Sequence, residues 1–483
     1  MKNAFLFILG GLLFLSCSND DSVDDGTPVP TGNTVKLGND ATFGNILTNS
    51  DGFTLYFFAP DSKDVSTCND TCAINWPPFY QENLLLDNGL DVNDFGTITR
   101  NDGTQQNTYK GWPLYLFSND SAPGVISGDG SGGNWFVAKP DYTVMMAKGQ
   151  LVGRDLSGNE TNLTSDYTEG DGETFYMTDA EGNTLYSFSK DFEGVNNFTN
   201  DNFSNNGVWP IFEEILENVP SVLDLGDFGM IDVFGRQQLT YKGWPLYYFG
   251  QDIQRGDNFG VGFPSAGVWP VLNPDIELPP VVWVGPALTF TKESNADWTL
   301  PENQDKITET VTITRQDRRQ IYNYEYWQRT FGQDPSGADL FREFWGSIAD
   351  TSSTTLNFTP TGGTKGLRWA ILDDTGATTD WSGFEFYGQL GDPTHFYSFH
   401  NVASMIFELE GENGVSSVDD NFNINGTVGG SSTDMEALVG KKLGVWAVEE
   451  DIFFTLTFDT WGSGGSGGAV SYTRTTNQNE VVN

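Results

Sequence analysis

The chain has 483 residues, 66 of them acidic and 24 basic, for a formal charge of −42. Such a surface repels nucleic acid and anionic headgroups wherever salt does not screen the contact, which excludes nucleic-acid partners. The acidity suits an exposed, salt-tolerant exterior that attracts divalent cations. At roughly 150 residues per domain, the length predicts about three domains.

The first element is a leader. Met1-Lys-Asn precedes an apolar run from Ala4 to Leu15, followed by Ser16-Cys17. A run this short, at ~1.5 Å per helical residue, does not cross a hydrocarbon core ~30 Å thick, so a transmembrane helix is the weaker reading. The layout predicts a lipoprotein signal peptide over 1–16, lipidation (palmitate) at Cys17, and a membrane partnership through that anchor. Phe14, three residues before the cysteine, departs from the usual leucine. Residues 17–34, rich in Asp, Ser, Pro, Thr and Gly, are too polar to bury anything and read as a flexible tether. The acidic stretch directly after Cys17 resembles surface-export signals of some Gram-negative outer-membrane lipoproteins. The expected location is therefore the outer membrane, facing outward, with a periplasm-facing anchor as the alternative.

Next comes an internal repeat. Leu-Tyr-x-Phe-x-x-Asp occurs at Leu55–Asp61, Leu114–Asp120, Leu185–Asp191 and Leu246–Asp252. A tryptophan follows each copy at similar distance: Trp76, Trp135, Trp209 and Trp269 lie 20, 20, 23 and 22 residues beyond Tyr56, Tyr115, Tyr186 and Tyr247. Copies two and four share Tyr-Lys-Gly-Trp-Pro-Leu-Tyr (Tyr109–Tyr115, Tyr241–Tyr247), each preceded by Asp-Phe-Gly. The order is A-B-A′-B′, two tandem repeats of two half-units over 35–145 and 146–280.

These residues resemble the secreted-repeat lipoprotein family, a repeat of unknown function marked by Tyr-x4-Asp. Copy one, with its cysteine pair and Trp76-Pro-Pro, is the fullest match. Copy three departs, because Asp191 to Trp209 holds no cysteine and a long Asn/Asp/Phe stretch fills the loop. The resemblance implies a location and a repeat fold, and hardly an activity.

Alternation in Thr54–Phe58, Leu114–Phe117 and Thr184–Phe188 predicts short half-buried strands, with each Tyr and Phe on one face. The second half-unit parses as strands over 96–100, 106–110, 113–117 and 135–138. Four such half-units predict an all-β repeat that is propeller-like or built as paired barrels or sandwiches. Short helices are expected at Glu213–Glu217 and Gly337–Ala349. After Pro279-Pro280 the motif stops. Residues 281–475 predict a separate β-sandwich of long alternating strands at Ile307–Thr314, Lys442–Val448 and Ile452–Phe458, with a polar tail over 476–483. The ending from Asp451 to Arg474 resembles C-terminal modules of secreted bacterial surface proteins.

The chemistry is sparse. With Cys17 lipidated, Cys68 and Cys72 remain, and in an oxidising compartment a structural disulfide is the first expectation. A redox or metal role is the alternative. The histidines, His395 and His400, would need a third ligand such as Asp392 to hold zinc. No Gly-x-Ser-x-Gly elbow is present. Asp61, Asp120, Asp191 and Asp252 read either as turn caps bonding backbone N–H groups or as a row binding cations or sugar hydroxyls. Calcium is a weak expectation, from the oxygens of Asp419–Gly426, which lack an EF-hand glutamate; no other cofactor is expected. Trp298, Trp327 and Trp381 are candidate sugar platforms.

The reading is a cell-surface lipoprotein of unassigned activity, non-catalytic, engaged in binding or adhesion to an extracellular glycan or surface protein. The alternatives are an envelope redox or electron-transfer accessory using Cys68 and Cys72, and a carboxylate-dependent hydrolase.

Overall fold

Tyr109 and Trp112 pair across a two-residue turn of Lys110 and Gly111, whose φ angles are +46° and +79°. Tyr241 and Trp244 pair identically across Lys242 and Gly243, at +48° and +85°. Hairpins select such turns because their twist matches that of the flanking strands, and glycine adopts the second position without cost. The repeated Tyr-Lys-Gly-Trp-Pro block is therefore the code for one tight hairpin.

The structure is a computed structural model describing residues 34–316, 321–331, 364–372, 388–397, 399, 402–403, 436–463 and 467–480. Cys17, the expected helix at 337–349, the side chains of Trp327 and Trp381, His400 and the Asp419–Gly426 run lie outside the described residues. Among the described residues the protein is all-β, with small antiparallel sheets and two short helices, Thr71–Asn75 and Tyr324–Phe331. No described helix is long and apolar enough to cross a membrane. Two compact units emerge: 34–58, 66–131 and 135–140 form one; 59–65, 132–134 and 141–480 form the other.

In the first unit, Val35–Asp40 and Gly44–Asn49 form a hairpin, Tyr56–Phe58 pairs with Trp135–Val137, and Phe95–Thr99, Gln105–Tyr109 and Trp112–Pro113 make a three-stranded sheet. Tyr56 bridges Tyr115, which also bridges Pro78, so the two half-units pair at the motif tyrosines. The strands fall within a residue or two of the expected positions. The exception is 113–117, which has regular pairing only at its start and isolated bridges afterwards.

The second unit opens with the meander Val144–Arg154, Glu160–Leu163 and Glu173–Asp179. It repeats the three-stranded sheet as Phe228–Val233, Arg236–Tyr241 and Trp244–Pro245, and Tyr186 bridges Tyr247 as Tyr56 does Tyr115. The C-terminal part of the unit is sandwich-like. A six-stranded sheet runs Ala287–Lys292, Val470–Thr475, Ile452–Trp461, Lys442–Ala447, Leu367–Ile371, with Val281–Trp283 added parallel to Ile452–Phe454. A second sheet of Asp305–Lys306, Thr312–Arg315 and Ile321–Asn323 contributes Ile313 and Ile321 to the same core as Trp369, Val445 and Phe454. The buried Arg474 guanidinium grips Asp305 with two bonds of 2.8 Å, and Tyr472 donates to the same carboxylate at 2.8 Å. Bidentate geometry and a third donor are what make so buried an ion pair tolerable.

Two local expectations fail. Ile307–Thr314 is not one strand: Ile307 N–H donates to the Val311 carbonyl at 2.9 Å, closing a turn. Glu450 stabilises that turn by accepting from the Thr308 and Thr310 hydroxyls at 2.5 and 2.6 Å. Glu213–Glu217 is not helical. It is too short to repay helix nucleation alone and has no regular secondary structure; the Thr143 hydroxyl accepts the Glu217 N–H at 2.8 Å.

Candidate recognition site

Within each repeat the motif tyrosine of the first half-unit donates its phenol to the aspartate of the second: Tyr56 to Asp120 at 2.7 Å, Tyr186 to Asp252 at 2.5 Å. In the second repeat the exchange is mutual, since Tyr247 donates to Asp191 at 2.7 Å. In the first, the Tyr115 hydroxyl meets Ser66 Oγ at 2.6 Å, and Asp61 is fully buried. The other carboxylate oxygen accepts backbone N–H groups further along: Ser127 for Asp120, Asn197 for Asp191 and Phe259 for Asp252, at 2.9, 2.7 and 2.9 Å. Burial pushes the carboxyls of Asp191 and Asp252 up to about 7 and raises the phenols of Tyr56, Tyr186 and Tyr247 above their ordinary value.

The motif phenylalanines and tryptophans form a column. Phe58, Trp135, Trp76 and Phe117 stack in that order at centroid spacings of 4.1, 3.7 and 4.1 Å. Phe188, Trp269, Trp209 and Phe249 repeat it at 4.5, 3.7 and 4.5 Å. Each phenylalanine thus lies on the tryptophan of the other half-unit, and each tyrosine meets its own half-unit's tryptophan edge-on, as ring quadrupoles favour. Gly128 and Gly260 let the chain cross these rings: a Cβ on either would lie 2.7–2.9 Å from tyrosine and tryptophan atoms.

The cysteine pair forms a disulfide, with Cα atoms 5.2 Å apart. The buried Arg100 ties this loop to the hairpin, donating to the Cys68 carbonyl and Gln106 Oε1, each at 2.6 Å, and to Ser66 Oγ. In the third half-unit amides replace the cysteines. Asn196 Nδ2 donates to Gln238 Oε1 and Thr199 Oγ1 at 2.7 and 2.8 Å, and Asn205 Nδ2 to the Phe198 carbonyl at 2.6 Å.

Of the remaining candidates, Asp392 accepts the Thr394 N–H at 2.9 Å and caps the turn carrying His395, whose Nδ1 is 3.4 Å from the Tyr397 hydroxyl. Among the described residues no three His, Cys, Asp or Glu side chains converge on a metal-sized site. Trp298 is half-buried, edge-on to Tyr322 and Tyr324.

An open cleft of about 950 Å³ lies where the second repeat meets the strand Val281–Trp283 and the segment 477–479. Its walls include Met230, Phe234 and Val284, which are 42, 58 and 44% exposed, with the amides of Asn477, Gln478 and Asn479. Glu193 and Asp232 supply its carboxylates. Phe234 occupies the Phe-Gly turn joining Phe228–Val233 to Arg236–Tyr241, at φ +50°. Beside it, Phe203, also left-handed at +55°, meets its ring edge-on at 6.3 Å. The Arg236 guanidinium caps the Phe203 ring at 4.6 Å and is ion-paired with Glu213. Neither phenylalanine was among the sequence candidates. Their signal was the contrast between copies: Phe234-Gly235 stands where the first repeat has Asn101-Asp102-Gly103.

No curated protein matches the chain, and no solved structure does. The family described as a secreted repeat of unknown function matches at residues 40–80, 96–139 and 232–273. The third half-unit, with its amide-held loop, lies outside these stretches. The first, second and fourth half-units are thus similar to the secreted repeats of unknown function.

Proposed function

We propose that the protein is a non-catalytic recognition lipoprotein of the cell surface, held at the outer membrane by lipid on Cys17, with glycans as its ligands. One observation carries this reading. The recurring Tyr, Asp and Trp side chains bond to one another inside each repeat, while the loops between them differ from copy to copy. A rigid frame with variable loops is the arrangement by which proteins present binding surfaces. The secreted character of the matched repeat accords with a surface location. The test is a glycan array probed with the chain from residue 17 onward carrying Cys17→Ser, with and without calcium. Saturable binding to a glycan class is expected. Silence under both conditions would defeat the glycan assignment and favour the second reading, an envelope redox accessory, whose supporting observation is the Cys68–Cys72 disulfide.

A further inference from the structure

We propose that the Phe234 cleft is the ligand site and that it takes a neutral oligosaccharide, whose pyranose faces lie against Phe234 and Met230 while its hydroxyls bond the amides of 477–479. This rests on the recognition reading above and gives it a place and a ligand class.

The cleft lies where the second repeat departs from the first. Two of the segments that differ meet here: the loop of Asp191 to Trp209, which replaces the cysteine pair, and the Phe234-Gly235 turn. The loop contributes Glu193, Val195 and Asn196 to the cleft and Phe203 to its aromatic edge; the turn contributes Phe234. Departures well separated in sequence meet on one surface.

Backbone conformation points to the same turn. A bulky residue at positive φ is an outlier that strains the backbone, and Asn or Gly serves such turns better. The second repeat places phenylalanine there twice, and Phe234 is more than half exposed. Its own burial does not repay the conformation. Contact with a ligand does.

The chemistry of the walls selects the ligand class. Apolar Phe234, Met230 and Val284 are interspersed with exposed amides and carboxylates, and among the described residues no lysine or arginine lines the cleft. The adjacent Arg236 is already paired with Glu213. With a formal charge of −42 on the chain, an acidic polysaccharide is repelled. A purely apolar ligand would desolvate Glu193, Asp232 and the amides of 477–479 without offering them new hydrogen bonds in place of water. A chain of sugar rings, apolar on its faces and hydroxylated at its rim, satisfies both kinds of wall. The cleft volume falls within the usual range of ligand sites.

The experiment is calorimetric titration of the Cys17→Ser chain with neutral oligosaccharides of the gluco-, manno-, xylo- and chito- series and with acidic uronate oligomers, using the parent and Phe234→Asn. Expected is saturable binding to a neutral series, about tenfold or more weaker in Phe234→Asn, as loss of a central aromatic contact gives. The melting temperature of that variant should be equal or higher, because asparagine suits the turn. A lower melting temperature would make Phe234 structural and overturn the assignment. Binding of a neutral sugar unaffected by Phe234→Asn would overturn the cleft while keeping the recognition reading. A preference for uronates would overturn the ligand class. No binding to any sugar would remove both this proposal and the glycan reading on which it stands.

Discussion

Tyr56 donates its phenolic proton to Asp120 from 64 residues away in the chain, at 2.7 Å, inside a core that also holds Trp76 and Trp135. The bond joins the two half-units of the first repeat, so its loss should be felt across the whole repeat. Tyr56→Phe keeps the ring packing and leaves one buried carboxylate oxygen without its donor, a change that costs about 1–3 kcal/mol. Gly128→Ala attacks the same junction sterically. Its methyl would meet rigid Tyr56 and Trp76 rings at 2.7–2.9 Å, and overpacking of this kind costs about 1–3 kcal/mol. Thermal unfolding followed by circular dichroism should show both variants less stable. A Gly128→Ala protein with an unchanged transition would refute the close approach.

The carboxyls of Asp191 and Asp252 give the second repeat a pH dependence of definite sign. Burial pushes both up to about 7, against about 4 in an unfolded chain. The folded protein therefore keeps protons that the unfolded chain has released. The contribution of these groups is complete below pH about 4 and is lost as the pH rises through about 7. Every tenfold difference in proton affinity between the folded and unfolded chain corresponds to about 1.4 kcal/mol. Hydrogen exchange of the second repeat, measured between pH about 5 and about 8 and corrected for intrinsic rates, should show protection falling with pH. Asp191→Asn and Asp252→Asn, which cannot ionise, should flatten that slope; a double variant with the parent's slope would show that the dependence arises elsewhere, for example from general acidic repulsion.

The disulfide should matter to one repeat only. Closing so short a loop stabilises by about 2 kcal/mol in the chain-entropy picture. Reduction, or Cys68→Ser with Cys72→Ser, is expected to weaken hydrogen-exchange protection around residues 66–76. The corresponding loop at 191–209, held by Asn196 and Asn205, should be indifferent to reductant. Equal loss in both loops would show that reduction acts on something other than the disulfide.

Much of this frame was legible in the sequence, because spacing survives in one dimension. The Leu-Tyr-x-Phe pattern marked short strands, Tyr-Lys-Gly-Trp-Pro marked a hairpin, and the recurrent tryptophan set the length of the unit. Pairing did not survive in the same way. Nothing local to Asp120 says that its phenol comes from Tyr56 of the other half-unit; the amide it bonds, that of Ser127, is also beyond its own turn. Ile307–Thr314 read as one strand because a tight turn need not interrupt alternation of threonine with aliphatic residues. Ile307 and Val311 are both buried, on either side of the bend. Phe203 and Phe234 were invisible for a different reason. An aromatic residue in a loop reads as core until the fold shows its backbone at positive φ and, for Phe234, its ring more than half exposed.

The paired indoles have a further use. Trp76 and Trp135 lie 3.7 Å apart with planes 3° from parallel, and Trp209 and Trp269 at 3.7 Å and 8°. Indoles at that separation share their excited states, so each repeat contains its own chromophore dimer, assembled only when its two half-units are joined. Replacing one tryptophan of one dimer would silence that optical signal and leave the other, giving a separate spectroscopic clock for the assembly of each repeat.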